Sequence, residues 1–256
     1  MPGGRPLRRL LRRRDPLVPP AGTGRQPPRR FIADGDELLL ALVTLAGLRP
    51  DHRVLDVGSA YGRVARPLAG FLEPPGSYLG IDADPAAVAW CAEQYAGRTG
   101  IAFVHLDVLN ARYRPDAGAP ASEAVFPAAD GEADTVVMAS VLGHLVTAEA
   151  ERYLAEARRV LRPGGRLLAG VHLLDLASRA AIGQQRAMLP FRLDAMAGPM
   201  AVVDPELPEE AVAFDHEWLE ETAAALGLAR VEAAPGRWRG GHAHTDRDLL
   251  VLESRR

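Results

Sequence analysis

The chain has 256 residues, enough for one α/β domain with a sizeable core and a small elaboration but too few for two full domains. With 48% hydrophobic and 25% charged residues it carries none of the bias of fibrous or disordered chains, and its 30 basic residues are all arginine, a trace of base composition rather than of chemistry. The single cysteine, Cys91, excludes an internal disulfide; the absence of any apolar run of about eighteen residues predicts no transmembrane segment, so a reducing cytoplasm is the expected compartment.

Charge is unevenly spread. Residues 1–30 carry nine arginines and one aspartate within a chain total of −3, so the body of the chain is acidic and its first stretch basic. Arg8, Arg9, Arg12, Arg13 and Arg14 surround Leu7, Leu10 and Leu11, and residues 5–14 suit a weak contact with an anionic surface such as RNA or a membrane face. Pro16, Pro19, Pro20, Pro27 and Pro28 forbid a long helix, and no apolar segment of signal-peptide type follows. The expectation is a flexible, Pro/Arg-rich tail over 1–30 ahead of a domain over 31–256, with no DNA partner.

From Asp36 onward helix and strand alternate. Leu38, Leu39, Leu42, Val43, Leu45 and Ala46 recur at helical spacing and stop at Gly47. A buried strand at 53–57 leads to a helix at 61–71. Then come a strand at 78–82, a helix at 85–95, a strand at 101–106, a strand at 134–139, a helix at 148–161 and a strand at 166–171. Such alternation through short turns requires right-handed crossovers and hence a mostly parallel sheet with helices on both faces. The segment at about 173–212, rich in Met, Pro and Gly, breaks the alternation at the carboxyl end of the fifth strand. It reads as a lid or acceptor-pocket insertion, or else as an inert loop on the sheet edge. A helix at 214–226 precedes strands at 228–233 and 248–253, too close together for a crossover and therefore antiparallel. The fold class is Rossmann-like α/β, seven strands, with an antiparallel last strand.

The first strand ends in VLDVGSAYG, residues 54–62, and opens into a helix. Glycines at such a turn let backbone amides approach a nucleotide-like ligand, a signal that dinucleotide sites share. Asp56, two residues before Gly58, sharpens it: a carboxylate there meets an amino group and would repel a pyrophosphate. Asp82 closes the second strand, where it can accept from both hydroxyls of a ribose, and Asp107 follows the third, where it can accept from an exocyclic adenine amine. Each acid alone could be a turn or cap residue. Together they describe one elongated ligand with an amine, a ribose and an adenine: S-adenosylmethionine.

In these pieces the chain resembles the class I S-adenosylmethionine-dependent methyltransferases from roughly Arg30 to its end. The matching stretches are VLDVGSAYGR, YLGIDADPAAVAWC, FVHLDV, ADTVVMASVLGHL and EARRVLRPGGRLLAG, while WRGGHAHTDRDLLVLE looks like the closing loop and strand of a bacterial subgroup. The resemblance implies S-adenosylmethionine as cofactor, S-adenosylhomocysteine as product, and cofactor contacts at Asp56, Gly58, Gly62, Asp82 and Asp107; Ser59, Ala60, Ala83 and Val108 are expected beside them, Arg63 at the cofactor carboxylate or else in a surface pair, and Ser140 at the methionine end or the acceptor. It also implies a structural turn at Pro163-Gly164-Gly165. Ala60 departs from the family, which usually has glycine there.

Methyl transfer consumes the charge on sulfur, so positioning and desolvation can supply much of the rate. A hydroxyl acceptor would gain from a general base, for which His144, just past the fourth strand, is the candidate; its plainer reading is a histidine packed against the next helix. Arg66 reads as a surface pair, and Trp90 and Cys91 as core. His172, His242 and His244 invite a metal reading, but His242-x-His244 gives only two ligands with Asp246 nearby, and no metal is expected. The leading reading is an enzyme methylating oxygen or nitrogen of a small molecule. An RNA or protein methyltransferase anchored by the arginine tail, a noncatalytic cofactor-binding module and an NAD-linked oxidoreductase are the alternatives. Oligomeric state is not written in the sequence.

Overall fold

A computed structural model describes residues 15–20, 22–23, 26–196 and 198–255. Among these the strands are, in chain order, β1 (Arg53–Val57), β2 (Ser77–Asp82), β3 (Ile101–His105), β4 (Val108–Leu109), β5 (Ala119–Pro120), β6 (Ala133–Met138), β7 (Leu161–Val171), β8 (Leu173–Leu174), β9 (Met200–Val202), β10 (Val212–Asp215), β11 (Leu228–Ala234) and β12 (Asp248–Ser254). The helices are α1 (Pro28–Thr44), α2 (Ala65–Phe71), α3 (Pro85–Gln94), α4 (Thr147–Val160), α5 (Leu176–Gly183) and α6 (His216–Ala225). No helix among the described residues is long and apolar enough to cross a membrane.

Seven strands form one sheet in the order β3-β2-β1-β6-β7-β12-β11. The first five are mutually parallel, and β12 runs antiparallel to both β7 and β11. This is the Rossmann-like α/β sheet that the alternation of helix and strand predicts. Because side chains alternate across a strand, β1 feeds two cores. Leu55 and Val57 join Ile81, Met138, Leu167 and the α4 residue Leu154 on one face. Val54 joins Tyr78, Leu42 of α1, Leu68 of α2 and Cys91 of α3 on the other.

Helix starts follow local chemistry. Asp84 caps α3 by accepting from the amides of Ala86 and Ala87, and Asp215 caps α6 by accepting from those of Glu217 and Trp218. Pro28 begins α1, where a missing N–H costs nothing. This corrects the expected boundary at residue 30: the prolines that seemed to exclude helix start one, and Leu17 and Val18 are already buried, Leu17 in the α1–α2 core. The arginine run, residues 5–14, lies outside the described residues.

Three further boundaries move. The helix expected from Tyr61 begins at Ala65, because residues 60–64 form turns. Strand β7 starts at Leu161, ahead of the expected 166: Leu161 pairs with Ala133 before a register shift at the Pro163-Gly164-Gly165 turn. The segment after β7 holds its own three-stranded sheet, β8-β10-β9, and runs to Asp215, so Phe214 and Asp215 are strand rather than helix. Leu174, Phe191, Ala201, Ala211, Ala213 and Trp238 form a separate small core there.

Candidate functional site

The carboxyl ends of β1, β2, β3 and β6 lie side by side, and strand register sets which side chains meet there. Asp56 pairs in register with Gly80, and Asp82 lies two residues further along β2, on the same face. Asp82 pairs with His105, and Asp107 follows two residues later. The three acids therefore climb a diagonal along one margin, each step an even number of residues.

The turn after β1 crosses over β2, with the amides of Gly58 and Ser59 donating to the carbonyl of Ile81 at 2.8 and 3.0 Å. Gly58, Ala60 and Gly62 all have positive φ, at 77°, 43° and 76°. An alanine in the left-handed region costs roughly 1–2 kcal/mol, so the position that departs from the glycine pattern is also a backbone position that favours glycine. A Cβ on Gly58 would come within 2.4 Å of Val141 Cγ2. The Ala60 amide donates to Asp82 Oδ2 at 2.7 Å and the Asp84 amide to Oδ1 at 2.8 Å, fixing that carboxylate between the turn and α3. Ser59 is buried, its hydroxyl without a partner.

Asp56 is 1% exposed. Burial pushes its carboxyl up to about 7, against the opposing pull of the Tyr78 hydroxyl and the Arg63 charge. Asp107 is exposed and accepts from Arg114 Nη2 at 3.1 Å, while Arg114 Nη1 donates to the Ala83 carbonyl at 3.3 Å. Neighbouring Val108 is buried. At β6, Arg63 Nη2 donates to Ser140 Oγ at 3.0 Å and Arg63 Nη1 lies 3.7 Å from Asp34 on α1. The margin thus holds one buried carboxylate, two more acids further along it and a guanidinium beside Ser140.

A methyltransferase-domain family model matches residues 55–167, which span this margin from β1 to β7. Residues 55–167 carry a methyltransferase domain. It is 34% identical over 197 residues to nocamycin O-methyltransferase of Saccharothrix syringae, an alignment covering 76% of this chain and 59% of that protein. Among solved structures, the chain is similar to the PH0226 protein of Pyrococcus horikoshii, with TM-score 0.60 and 16% identity over 90% of this chain and 93% of the other. It is also similar to Burkholderia thailandensis 1,6-didemethyltoxoflavin-N1-methyltransferase, with TM-score 0.55 and 18% identity over 88% and 79%.

On the far side of Ser140 the chain holds groups that sequence reading missed. Arg247 Nη1 donates to the same Ser140 Oγ at 3.1 Å, and its Nη2 lies 3.2 Å from His144 Nε2. Tyr113 Oη is 3.3 Å from that nitrogen, and His144 Nδ1 is 3.0 Å from the Glu209 carbonyl in the inserted segment. A carbonyl only accepts and a guanidinium only donates, so Nδ1 carries the hydrogen and Nε2 is the acceptor. Arg247 had a signal: because β12 is antiparallel, its first residue, Asp248, pairs with Val171 at the carboxyl end of β7, and the residue before it belongs to the site. Tyr113 had none.

Arg66 pairs with Asp36 and Asp15, and Cys91 is fully buried, while Trp90 meets Tyr61 edge-on at 5.7 Å. His172 is buried between Phe191 and Trp238, its basicity lowered to about 3 chiefly by burial. His242 and His244 are exposed, and among the described residues no three His, Cys, Asp or Glu side chains are grouped to hold a metal.

Proposed function

We propose that the protein transfers a methyl group from S-adenosylmethionine to an oxygen or nitrogen of a small-molecule acceptor. The observation that carries this reading is the diagonal of Asp56, Asp82 and Asp107 beside a turn with positive φ at Gly58, Ala60 and Gly62. In it Asp56 holds the amino group and Arg63 the carboxylate, with Ser140 beside them. Asp82 takes the ribose hydroxyls and Asp107 with Val108 the adenine, while the backbone of Gly58, Ser59, Ala60, Gly62 and Ala83 lines the floor. Bound there, the cofactor supplies an electrophilic methyl group on a sulfonium.

The chain's own residues then orient and shield. The inserted segment, joined to the site by the Glu209 carbonyl on His144 and by a Glu210–Arg112 pair, covers the side where an acceptor enters. His144, neutral with Nε2 as its accepting nitrogen, is the candidate base for a hydroxyl acceptor once Arg247 releases it. The small-molecule class draws on the names of the nocamycin and toxoflavin enzymes, which are statements about those proteins.

Calorimetry with S-adenosylmethionine and S-adenosylhomocysteine tests the reading: binding to the full chain is expected, at least tenfold weaker in Asp82→Ala. No heat and no thermal shift with either ligand would sink it. Methyl-tritiated cofactor incubated with an extract of the host cell then separates acceptor classes. Label in the small-molecule fraction is expected, undiminished when residues 1–14 are deleted; label confined to RNA or protein would transfer the activity to the tail-anchored alternative.

A further inference from the structure

Two arginines converge on Ser140, but only one has an acid. Arg63 faces Asp34, and its side chain is 23% exposed. Arg247 makes its hydrogen bonds to neutral groups, the Ser140 hydroxyl and the His144 imidazole, and its Nε has no hydrogen-bond partner. No carboxylate among the described residues forms an ion pair with it. Of the acids lining the cleft, Asp246, whose charge also reaches Arg247, is engaged by Arg30 and Arg237, and Asp34 by Gln26, Arg30 and Arg63, while Glu37 forms no ion pair with Arg247. Burial, reinforced by the Arg63 charge, lowers the Arg247 guanidinium to about 10.

A half-buried cation with no anion paired to it is costly to hold unless something anionic completes it. Its place says what that is. Arg63 stands on the Asp56 side of Ser140. Arg247 stands on the other side, beside Gly143 and His172 and linked to the inserted segment through His144, and both arginines line one open depression. The cofactor brings a single carboxylate, and Arg63 accounts for it.

We infer that the methyl acceptor is a carboxylate-bearing small molecule whose anionic group is seated on Arg247. The inference rests on the proposed cofactor site. On arrival the carboxylate accepts from the Nη1 and Nη2 hydrogens now spent on Ser140 and His144, which fixes the acceptor and leaves the Tyr113 hydroxyl beside His144 Nε2.

The test loads the full chain with S-adenosylhomocysteine and titrates matched carboxylate and amide pairs, salicylate against salicylamide and benzoate against benzamide. At least one carboxylate is expected to bind tenfold or more tightly than its amide. Arg247→Gln removes that preference and leaves the cofactor affinity within twofold, Arg247→Lys retains part of it, and Arg63→Gln weakens the cofactor at least tenfold. A wild-type chain that binds S-adenosylhomocysteine yet shows no carboxylate preference overturns the inference, whatever the variants do. So does loss of cofactor affinity in a folded Arg247→Gln equal to that in Arg63→Gln. Failure of the wild-type chain to bind S-adenosylhomocysteine would overturn the cofactor reading itself, and the inference with it.

Discussion

Tyr78 donates its hydroxyl hydrogen to Asp56 Oδ2 at 2.6 Å, across neighbouring strands and out of reach of water. This bond favours the ionised carboxylate, burial opposes it, and burial wins: the group titrates near 7 instead of 3.8. A folded value above the unfolded one means that the folded chain holds the extra proton between these limits. The stabilisation it brings is complete below about pH 4 and lost as pH rises through 7. Chemical denaturation between pH 5 and 8 should therefore show the ligand-free protein weakening, by up to a few kcal/mol, with a flatter profile in Asp56→Asn. In the proposed site an ammonium group demands the ionised form, so S-adenosylhomocysteine affinity should fall as pH drops below 7, approaching tenfold per pH unit. Tyr78→Phe should move that fall to higher pH. A pH-independent affinity would remove Asp56 from the amine.

Ala60 is held at φ 43°. Ala60→Gly removes a left-handed penalty of roughly 1–2 kcal/mol while adding about 0.5–1 kcal/mol of unfolded-chain entropy. The variant should be at least as stable as the parent. Ala60→Val, with a branched Cβ at the same φ, should lose about 2 kcal/mol or more and weaken the cofactor. Urea denaturation decides, and a loss greater than 1 kcal/mol in the glycine variant would contradict the account.

Asp248 is the fastening of the inserted segment. Its carboxylate accepts from the amides of Leu173 and Gly236, from the Trp238 indole and from two nitrogens of Arg239, all within 2.9 Å. Asp248→Ala leaves these buried donors unanswered and should cost about 3–5 kcal/mol. Limited proteolysis should show the earliest new cuts within residues 173–215; cuts spread evenly over the domain would argue against a local fastening.

His144→Ala tests the base. With a hydroxyl acceptor, kcat should drop about a hundredfold while S-adenosylhomocysteine affinity stays unchanged. A drop below threefold in an assay of released S-adenosylhomocysteine would leave His144 a positioning residue for Tyr113 and Arg247.

The sequence by itself determined the sheet and the diagonal of acids along its margin. All seven of its strands, the glycine turn and the spacing of Asp56, Asp82 and Asp107 are local or periodic features, and register then brings strand ends together without further choice. Tertiary structure alone decided what surrounds Ser140 and His144. Ser140 and Arg247 stand 107 residues apart in the chain, and Asn110 donates to the carbonyl of His144, 34 residues on. The start of α1 at Pro28 and the small sheet β8-β10-β9 belong with these, being fixed by what they pack against. Periodicity records which face of an element is buried, and an antiparallel return or an inserted segment brings side chains together through contacts that leave no period.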